Sequence, residues 1–181
     1  MHVPTCFTRL AVGAALCAAV GTSQAAYYSA TLPEFSGAGP YNAYPVAESV
    51  GTFTFSIGGG EVVTAATISG TFGNTAFPNT ALSDMQADGI TVASCASTAD
   101  ACWTAQTPTP WTYNFLAADF GIFADGQVDF VALQTGNYTN RVGASKLEIW
   151  TQAVPEPETY ALMLAGLGAL GMVARRRKQQ G

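Results

Sequence analysis

The sequence is poor in the side chains on which many enzyme active sites depend. Its single histidine is His2, so the chain from residue 3 onward can build neither a Ser-His-Asp nor a Cys-His arrangement. A phosphate-binding loop is also missing, because the glycines at residues 58–60 are followed neither by a lysine nor by a helical pattern. These absences exclude triad hydrolases and nucleotide binding through such a loop.

Charged residues are scarce as well, at 10% of the chain against roughly a quarter in typical globular domains. Between residues 26 and 153 two basic residues, Arg141 and Lys146, stand against ten acidic ones, which gives a net charge of −8. Such a body would repel phosphate groups, so we expect no binding to nucleic acid. We interpret the acidity as favouring solubility.

Long apolar runs are absent, yet a short one lies near the N-terminus. Arg9 precedes the apolar run at residues 10–20, and small residues follow at Ser23 and Ala25. This is the layout of a secretory signal peptide, and the run is shorter than the ~20 residues of a spanning helix. We predict a signal peptide at residues 1–25, cleaved after Ala25, with the secretory translocon and signal peptidase as partners. A lipoprotein is not predicted, because Leu16 rather than a small residue precedes Cys17.

Export leaves two cysteines in the mature chain, Cys95 and Cys102. Two cysteines in an oxidising compartment usually pair, so the sequence predicts a disulfide. A zinc site and a catalytic thiol are the alternatives, and both would need ligands or partners that a body without histidine lacks. We predict no metal and no cofactor.

Residues 26–153 have the period-2 pattern of half-buried strands. Leu147 and Ile149 alternate with Glu148 and Trp150, and similar alternation places Phe53, Phe55 and Ile57, and separately Ala66, Ile68 and Phe72, on single faces. Seven or eight such strands with short turns predict an all-β fold, a β-sandwich with the jelly roll as one form of it.

Two turns carry a hairpin signal, because Gly accepts the positive φ of a type I′ turn. They are Asp88-Gly89 and Asp125-Gly126. The segments 94–111 and 34–45 are predicted to be loops, since proline, glycine or cysteine interrupts them.

Three carboxylates, Asp119, Asp125 and Asp129, form the densest acidic group. We expect Asp125 to make a turn and the others to lie on exposed strand positions. A calcium site and a pair of catalytic carboxylates for glycoside hydrolysis are the alternatives.

Two tryptophans, Trp103 and Trp111, fall within the predicted 94–111 loop. Exposed on a loop, they are candidate ligand contacts of a carbohydrate-binding surface. The alternative is that they cover one end of the core.

The C-terminal segment, residues 154–181, differs from the rest of the chain. Val154, Pro155, Glu156 and Pro157 come first, then 15 uncharged residues from Tyr160 to Ala174, and then a block of four basic residues. We predict a transmembrane helix at residues 160–174, about 22 Å long against a hydrocarbon core of ~30 Å. The basic block would stop translocation on the cytoplasmic side; it comprises Arg175, Arg176, Arg177 and Lys178.

This order of motif, apolar stretch and basic end resembles the PEP-CTERM sorting signal of Gram-negative bacteria. The resemblance rests on residues 154–157, 160–174 and 175–178. It implies export, transient retention in the inner membrane and recognition by an exosortase, a membrane transpeptidase that cuts near the motif. A GPI signal lacks the PEP motif and the basic end, while an uncut tail anchor stays open as an alternative.

The sequence thus predicts three parts: a signal peptide (1–25), a β-sandwich passenger (26–153) and a sorting signal (154–181). The leading hypothesis is a non-enzymatic surface or secreted protein of the envelope, extracellular matrix or biofilm, with exopolysaccharide as a candidate partner. A carbohydrate-binding module is the second hypothesis and a secreted hydrolase the third.

Overall fold

A computed structural model of the protein describes residues 25–38, 45–154 and 157–179. The predicted signal peptide therefore lies outside the described residues, apart from Ala25, where the first strand begins. Within these described ranges, ten strands, one 3-10 helix at Ala117–Phe123 and one α-helix, α1, at Pro157–Gln179 follow one another. The strands are β1 (Ala25–Leu32), β2 (Phe35–Ser36), β3 (Val46–Thr54), β4 (Glu61–Phe72), β5 (Ser83–Ala87), β6 (Ile90–Cys95), β7 (Thr109–Asn114), β8 (Gln127–Gln134), β9 (Arg141–Val142) and β10 (Ser145–Ala153).

The strands form two antiparallel sheets. In the first, β1 pairs with β10, β10 with β4, and β4 with β7; the short strands β9 and β2 extend this sheet beside the end of β4. In the second, the order is β3-β8-β5-β6. All the paired strands are antiparallel, so the prediction of an all-β body is confirmed.

One hydrophobic core lies between the two sheets. Ile68 and Leu147 come from the first sheet, Phe53 and Phe130 from the second, and all four are buried. Burying a side chain of this size contributes about 1.5–3 kcal/mol, so the core is the main source of stability. The alternation predicted for β10 is confirmed, since Ile149 on that strand is also buried.

The Asp88-Gly89 hairpin is confirmed between β5 and β6. Asp88 has φ of 45° and Gly89 φ of 80°, which is the left-handed backbone that a type I′ turn requires at both central residues. Two bonds to β8 hold Asp88 in this region: its Oδ1 accepts the backbone N–H of Asp129 at 2.9 Å, and its own N–H donates to the Asp129 carbonyl oxygen at 3.0 Å.

The second predicted hairpin, at Asp125-Gly126, is wrong. The chain before it forms β7 and the 3-10 helix, and β7 pairs with β4 in the first sheet, whereas β8 joins the second. The turn therefore carries the chain between sheets. Gly126 has φ of 79°, and a Cβ there would lie 2.6 Å from the carbonyl oxygen of Phe55. This close approach explains the glycine without a hairpin.

Two smaller predictions need correction. Within the predicted loop at 34–45, Phe35–Ser36 forms β2, while residues 39–44 lie outside the described range. The predicted loop at 94–111 is shorter, because β6 extends to Cys95 and β7 begins at Thr109. A strand of two residues is too short to leave a periodic signal in a sequence.

The C-terminal segment is helical in α1, whose 23 residues correspond to about 34 Å. Its apolar side chains are exposed, Leu162 at 74% and Leu164 at 65%. In the described part of the chain, however, no helix combines the length and the apolar character needed to cross a bilayer. The predicted transmembrane helix at 160–174 is thus not confirmed.

Candidate functional site

The folded body ends directly at the C-terminal signal. β10 stays paired with β4 as far as Ala153, which faces Glu61. One more bond follows, from the backbone N–H of Val154 to the carbonyl oxygen of Gly60 at 2.7 Å. β10 ends at Ala153, so the chain leaves the strand at Val154, the first residue of the predicted motif, which is 49% exposed.

Of the motif itself, Pro155 and Glu156 lie outside the described residues. Pro157 is the first residue of α1, a position that suits proline because the first helical N–H needs no partner within the helix. The segment between β10 and α1 is therefore only three residues long, Val154 included.

Charges at the two ends of α1 have the signs that the helix dipole favours. Glu158 lies in the first turn, while Arg176, Arg177 and Lys178 lie in the last. The apolar side chains between these ends are distributed around the helix rather than along one face. The helix therefore has no single apolar face with which to pack on the body.

The predicted disulfide is confirmed, and it closes the beginning of the β6–β7 connection. Cys95 and Cys102 are bonded, with their Cα atoms 6.0 Å apart. Inside the ring, the Asp100 carboxylate accepts bonds from the Ser97 hydroxyl and from the backbone N–H groups of Ser97 and Ala96, each at 2.8 Å. These hydrogen bonds, led by the Ser97 hydroxyl, lower the pKa of Asp100.

The described residues hold one group of potential metal ligands, Cys95, Asp100 and Cys102, whose ligand atoms lie within 4.8 Å of one another. Both sulfur atoms are bound in the disulfide, so neither is a thiolate that could coordinate a metal. The grouping is a consequence of the covalent bond and of the hydrogen bonds to Asp100.

The three carboxylates of the acidic group are each bonded to a different local donor. Asp125 accepts from the N–H of Gln127, as expected for a turn. Asp129 accepts from the Thr52 hydroxyl across the β3–β8 pair. Asp119 lies in the 3-10 helix, not on a strand as predicted, and its carboxylate accepts from a backbone N–H at the start of that helix.

The two candidate tryptophans lie in different environments. Trp111 belongs to β7, and its ring contacts Phe72 and Phe130 with centroids 6.3 and 6.0 Å apart. The placement of Trp111 on an exposed loop is thus wrong: β7 begins at Thr109 and turns this indole toward the core. The role of covering the core is the one its contacts support.

Trp103 instead borders an open cleft. Its ring meets that of Tyr138 edge to face, with centroids 5.0 Å apart. The cleft has a volume of about 230 Å³ and is lined also by Asn79, Thr80 and Arg141. The described residues that line it include no acidic side chain.

The guanidinium of Arg141 is held at the cleft by two neighbours. It lies over the Phe77 ring, 4.1 Å from the centroid, and its Nη1 donates to Asn79 Oδ1 at 2.8 Å. Within the described residues no carboxylate forms a salt bridge with it. The described part of the chain therefore places a basic side chain at the cleft without a carboxylate partner.

Three loops build this cleft, and hydrogen bonds tie them together. The N–H of Thr80 donates to the carbonyl oxygen of Cys102, beside Trp103. The Thr80 hydroxyl accepts the N–H of Arg141 at 2.8 Å. The N–H of Ala81 also donates to the carbonyl oxygen of Thr139 at 3.1 Å. Because these bonds join the β4–β5 connection to the β6–β7 connection, to the β8–β9 connection and to the start of β9, the cleft walls are fixed relative to one another.

Tyr138 is held by a buried amide. Gln134 is fully buried, and its Nε2 donates to the carbonyl oxygens of Gly136 at 2.7 Å and Tyr138 at 2.5 Å. Tyr138 has φ of 79°, in the left-handed region that a large side chain rarely adopts. Strain of this kind persists where the surroundings impose it, and it is concentrated at functional sites.

Sequence reasoning found Trp103 but missed the other walls of the cleft. Asn79, Trp103 and the neighbouring pair Tyr138 and Arg141 come from three separate segments of the chain and meet only through the sheet topology. The one available signal was the rarity of basic residues in the body, which singles out Arg141.

Comparison with known proteins identifies the C-terminal segment. The sequence model of the PEP-CTERM protein-sorting motif matches residues 153–178. No curated protein and no solved structure matches the chain. The match begins at Ala153, the last residue of β10, and extends through the basic block. This chain therefore ends in a PEP-CTERM protein-sorting motif, which implies an exported protein sorted by an exosortase.

Proposed function

We propose that the protein is a non-enzymatic component of the cell surface, extracellular matrix or biofilm. A signal peptide at residues 1–25 directs it through the translocon, and signal peptidase removes that segment. The C-terminal segment then holds the body at the inner membrane until an exosortase cuts near the motif. The observation that carries this proposal is the sorting motif at 153–178, directly after the last strand.

The junction supports cleavage outside the folded body. The last sheet hydrogen bond is made by Val154, so a cut after the motif leaves every strand intact. The apolar part of the helix, at residues 160–174, is about 22 Å long and so a weak anchor in a ~30 Å hydrocarbon core. A weak anchor suits a segment that needs to retain the protein only until it is processed.

The folded body, residues 26–153, has the features expected of an exported domain that carries no catalytic groups. Apart from the two-residue strands β2 and β9, the strand orders β1-β10-β4-β7 and β3-β8-β5-β6 support a β-sandwich of the jelly-roll type. The carboxylates Asp119, Asp125 and Asp129 are bonded to separate local donors, which does not favour a catalytic pair.

A matched pair of variants tests the sorting function. Glu156→Gln changes the motif, whereas Glu158→Gln makes the same chemical change in the first turn of α1. In cells with an exosortase, we expect wild type and Glu158→Gln to yield a released form lacking residues after about Pro157. Glu156→Gln should remain uncut in the membrane fraction.

Cell fractionation followed by mass spectrometry of the C-terminal peptide measures this outcome. Cells lacking the exosortase should retain the full tail in the inner membrane. An intact tail on wild-type protein in cells with the enzyme would contradict sorting and favour a permanent tail anchor.

Carbohydrate binding is a second candidate function, favoured by the cleft beside Trp103. Its aromatic pair, hydroxyl and amide are the groups that pockets use for ligands with both apolar and polar surfaces. Jelly rolls include lectin domains, which is an analogy of fold only. A glycan array probed with wild type and Trp103→Ala tests this function, and an absence of binding by the wild type would remove it.

A further inference from the structure

We propose that the cleft between Trp103, Tyr138 and Arg141 binds a sugar unit that carries a carboxylate, such as a uronic acid. This inference rests on the second candidate function and adds the charge of the ligand to it. Three properties of the cleft lead to it: its mixed walls, its unpaired positive charge and its place at one end of the sheets.

The walls match a ligand that is apolar on its faces and polar on its edges. Trp103 and Tyr138 offer an aromatic surface, and Asn79 and Thr80 offer an amide and a hydroxyl. Asn79 Oδ1 and the Thr80 hydroxyl already accept bonds from Arg141, so a purely apolar ligand would leave chiefly the remaining guanidinium N–H donors without partners, at a cost in affinity. A sugar ring presents C–H groups on its faces and hydroxyls on its rim, so both kinds of wall are used.

The charge of the cleft selects an anionic ligand. Arg141 is one of two basic residues between residues 26 and 153, and the other, Lys146, forms a salt bridge with Glu148 at 2.6 Å. Only Nη1 of the Arg141 guanidinium has hydrogen-bond partners among the described residues. The remaining N–H donors have the planar geometry that holds a carboxylate in a bidentate pair.

Net repulsion from the acidic body does not prevent this binding. The described lining residues include no acid, and charges beyond about 8 Å are largely screened at physiological ionic strength. The volume of about 230 Å³ lies below the ~300–1,000 Å³ of sites for drug-sized ligands. The cleft therefore holds one small unit, such as a terminal residue or one exposed residue of a longer polymer.

The position of the cleft suits a ligand outside the membrane. Arg141 comes four residues before β10, whose other end, Ala153, leads into the sorting motif. β10 has nine residues and so a length of about 30 Å. The sorting tail and the cleft thus lie at opposite ends of the sheets, and a body held by its tail presents the cleft away from the bilayer.

The test compares two ligands with the same sugar backbone, one charged and one neutral: trigalacturonate and its methyl ester. The full chain, expressed in a Gram-negative host and purified in detergent, is titrated with each by calorimetry. We expect the acid to bind about tenfold or more tightly than the ester, as a charge-assisted pair predicts. Arg141→Gln should remove this preference.

Lys146→Gln is the matched control, since it removes the same charge outside the cleft and should keep the preference. Tyr138→Gly removes one aromatic wall without touching the hydrogen bonds of Arg141, and it should weaken both ligands. Thermal unfolding verifies that each variant is folded.

The possible outcomes distinguish failure of the charge preference from failure of carbohydrate binding itself. Equal binding of acid and ester would overturn the charge preference while leaving carbohydrate binding in place. A loss of preference in Lys146→Gln as large as in Arg141→Gln would assign it to overall charge and overturn the site. Binding of neither ligand, together with an empty array of neutral and acidic glycans, would overturn both.

Discussion

Tyr138 holds its ring edge to face against Trp103, with centroids 5.0 Å apart, while its own backbone lies in the left-handed region at φ of 79°. The amide of Gln134 bonds the carbonyl oxygen of Tyr138 and keeps the turn in place. A favourable ring contact is thus maintained at an unfavourable backbone conformation.

Replacing Tyr138 with glycine should change stability little. Glycine removes left-handed strain of about 1–2 kcal/mol but adds freedom to the unfolded chain. The lost aromatic pair costs about 0.5–1.5 kcal/mol, so the terms nearly cancel. We expect the free energy of unfolding in urea to change by less than about 1 kcal/mol. Tyr138→Phe keeps both ring and strain and serves as control. A loss above about 2 kcal/mol would show that the ring has a structural role.

Removing the disulfide should destabilise the body and loosen the cleft. The bond between Cys95 and Cys102 has a sequence separation of 7, for which the chain-entropy relation gives about 2.5 kcal/mol. We expect Cys95→Ala/Cys102→Ala to lower the free energy of unfolding by about this amount. The wild type under reducing conditions should lose a similar amount of unfolding free energy. Unchanged stability in both would mean that the β6–β7 connection is ordered by its other bonds alone.

The pKa of Asp100 should lie below the ordinary value of an aspartate, which is about 3.9. Its pKa is lowered by hydrogen bonds from Ser97, first the hydroxyl and then the N–H, and from the N–H of Ala96. A depressed folded-state pKa stabilises the fold above the unfolded pKa, and this contribution is lost as pH falls through the folded value. NMR measures the pKa of Asp100 when the chemical shift of its carboxyl carbon is followed between about pH 2 and about pH 6. Ser97→Ala should raise the midpoint; no movement would assign the shift elsewhere.

How much of this could be predicted from the sequence depends on how local each feature is. The alternation of Leu147 and Ile149, the turn at Asp88 and the pairing of two cysteines are local, and all are confirmed. The turn at Asp125 has the same composition as the hairpin turn but joins different sheets, which only the long-range pairing of β7 with β4 decides. Strand order is set by contacts that no short window contains.

The cleft could not be predicted from the sequence for the same reason. Trp103 could be identified as a candidate ligand contact because exposed aromatic residues on loops suggest binding. The same reasoning failed for Trp111, which lies in the same predicted loop but belongs to a strand. Nothing in the sequence near either residue indicates that Tyr138 and Arg141 would join Trp103. The sorting signal was predictable, in contrast, because its recognition depends on a contiguous segment, and the match at 153–178 confirms it.

Removal of the tail should leave the body as stable as before. The last bond between the sheet and the chain beyond it is made by Val154. The apolar side chains of α1 are exposed, as Leu167 at 60% illustrates, so the body loses little packing when α1 is removed. We expect a chain ending at Pro157 to melt within about 2 °C of the full chain by circular dichroism. A chain ending at Glu148 should fail to fold, because it lacks the buried residues Ile149 and Thr151. A drop of more than about 5 °C on truncation at Pro157 would mean that α1 packs on the body, and release by the exosortase would then destabilise its product.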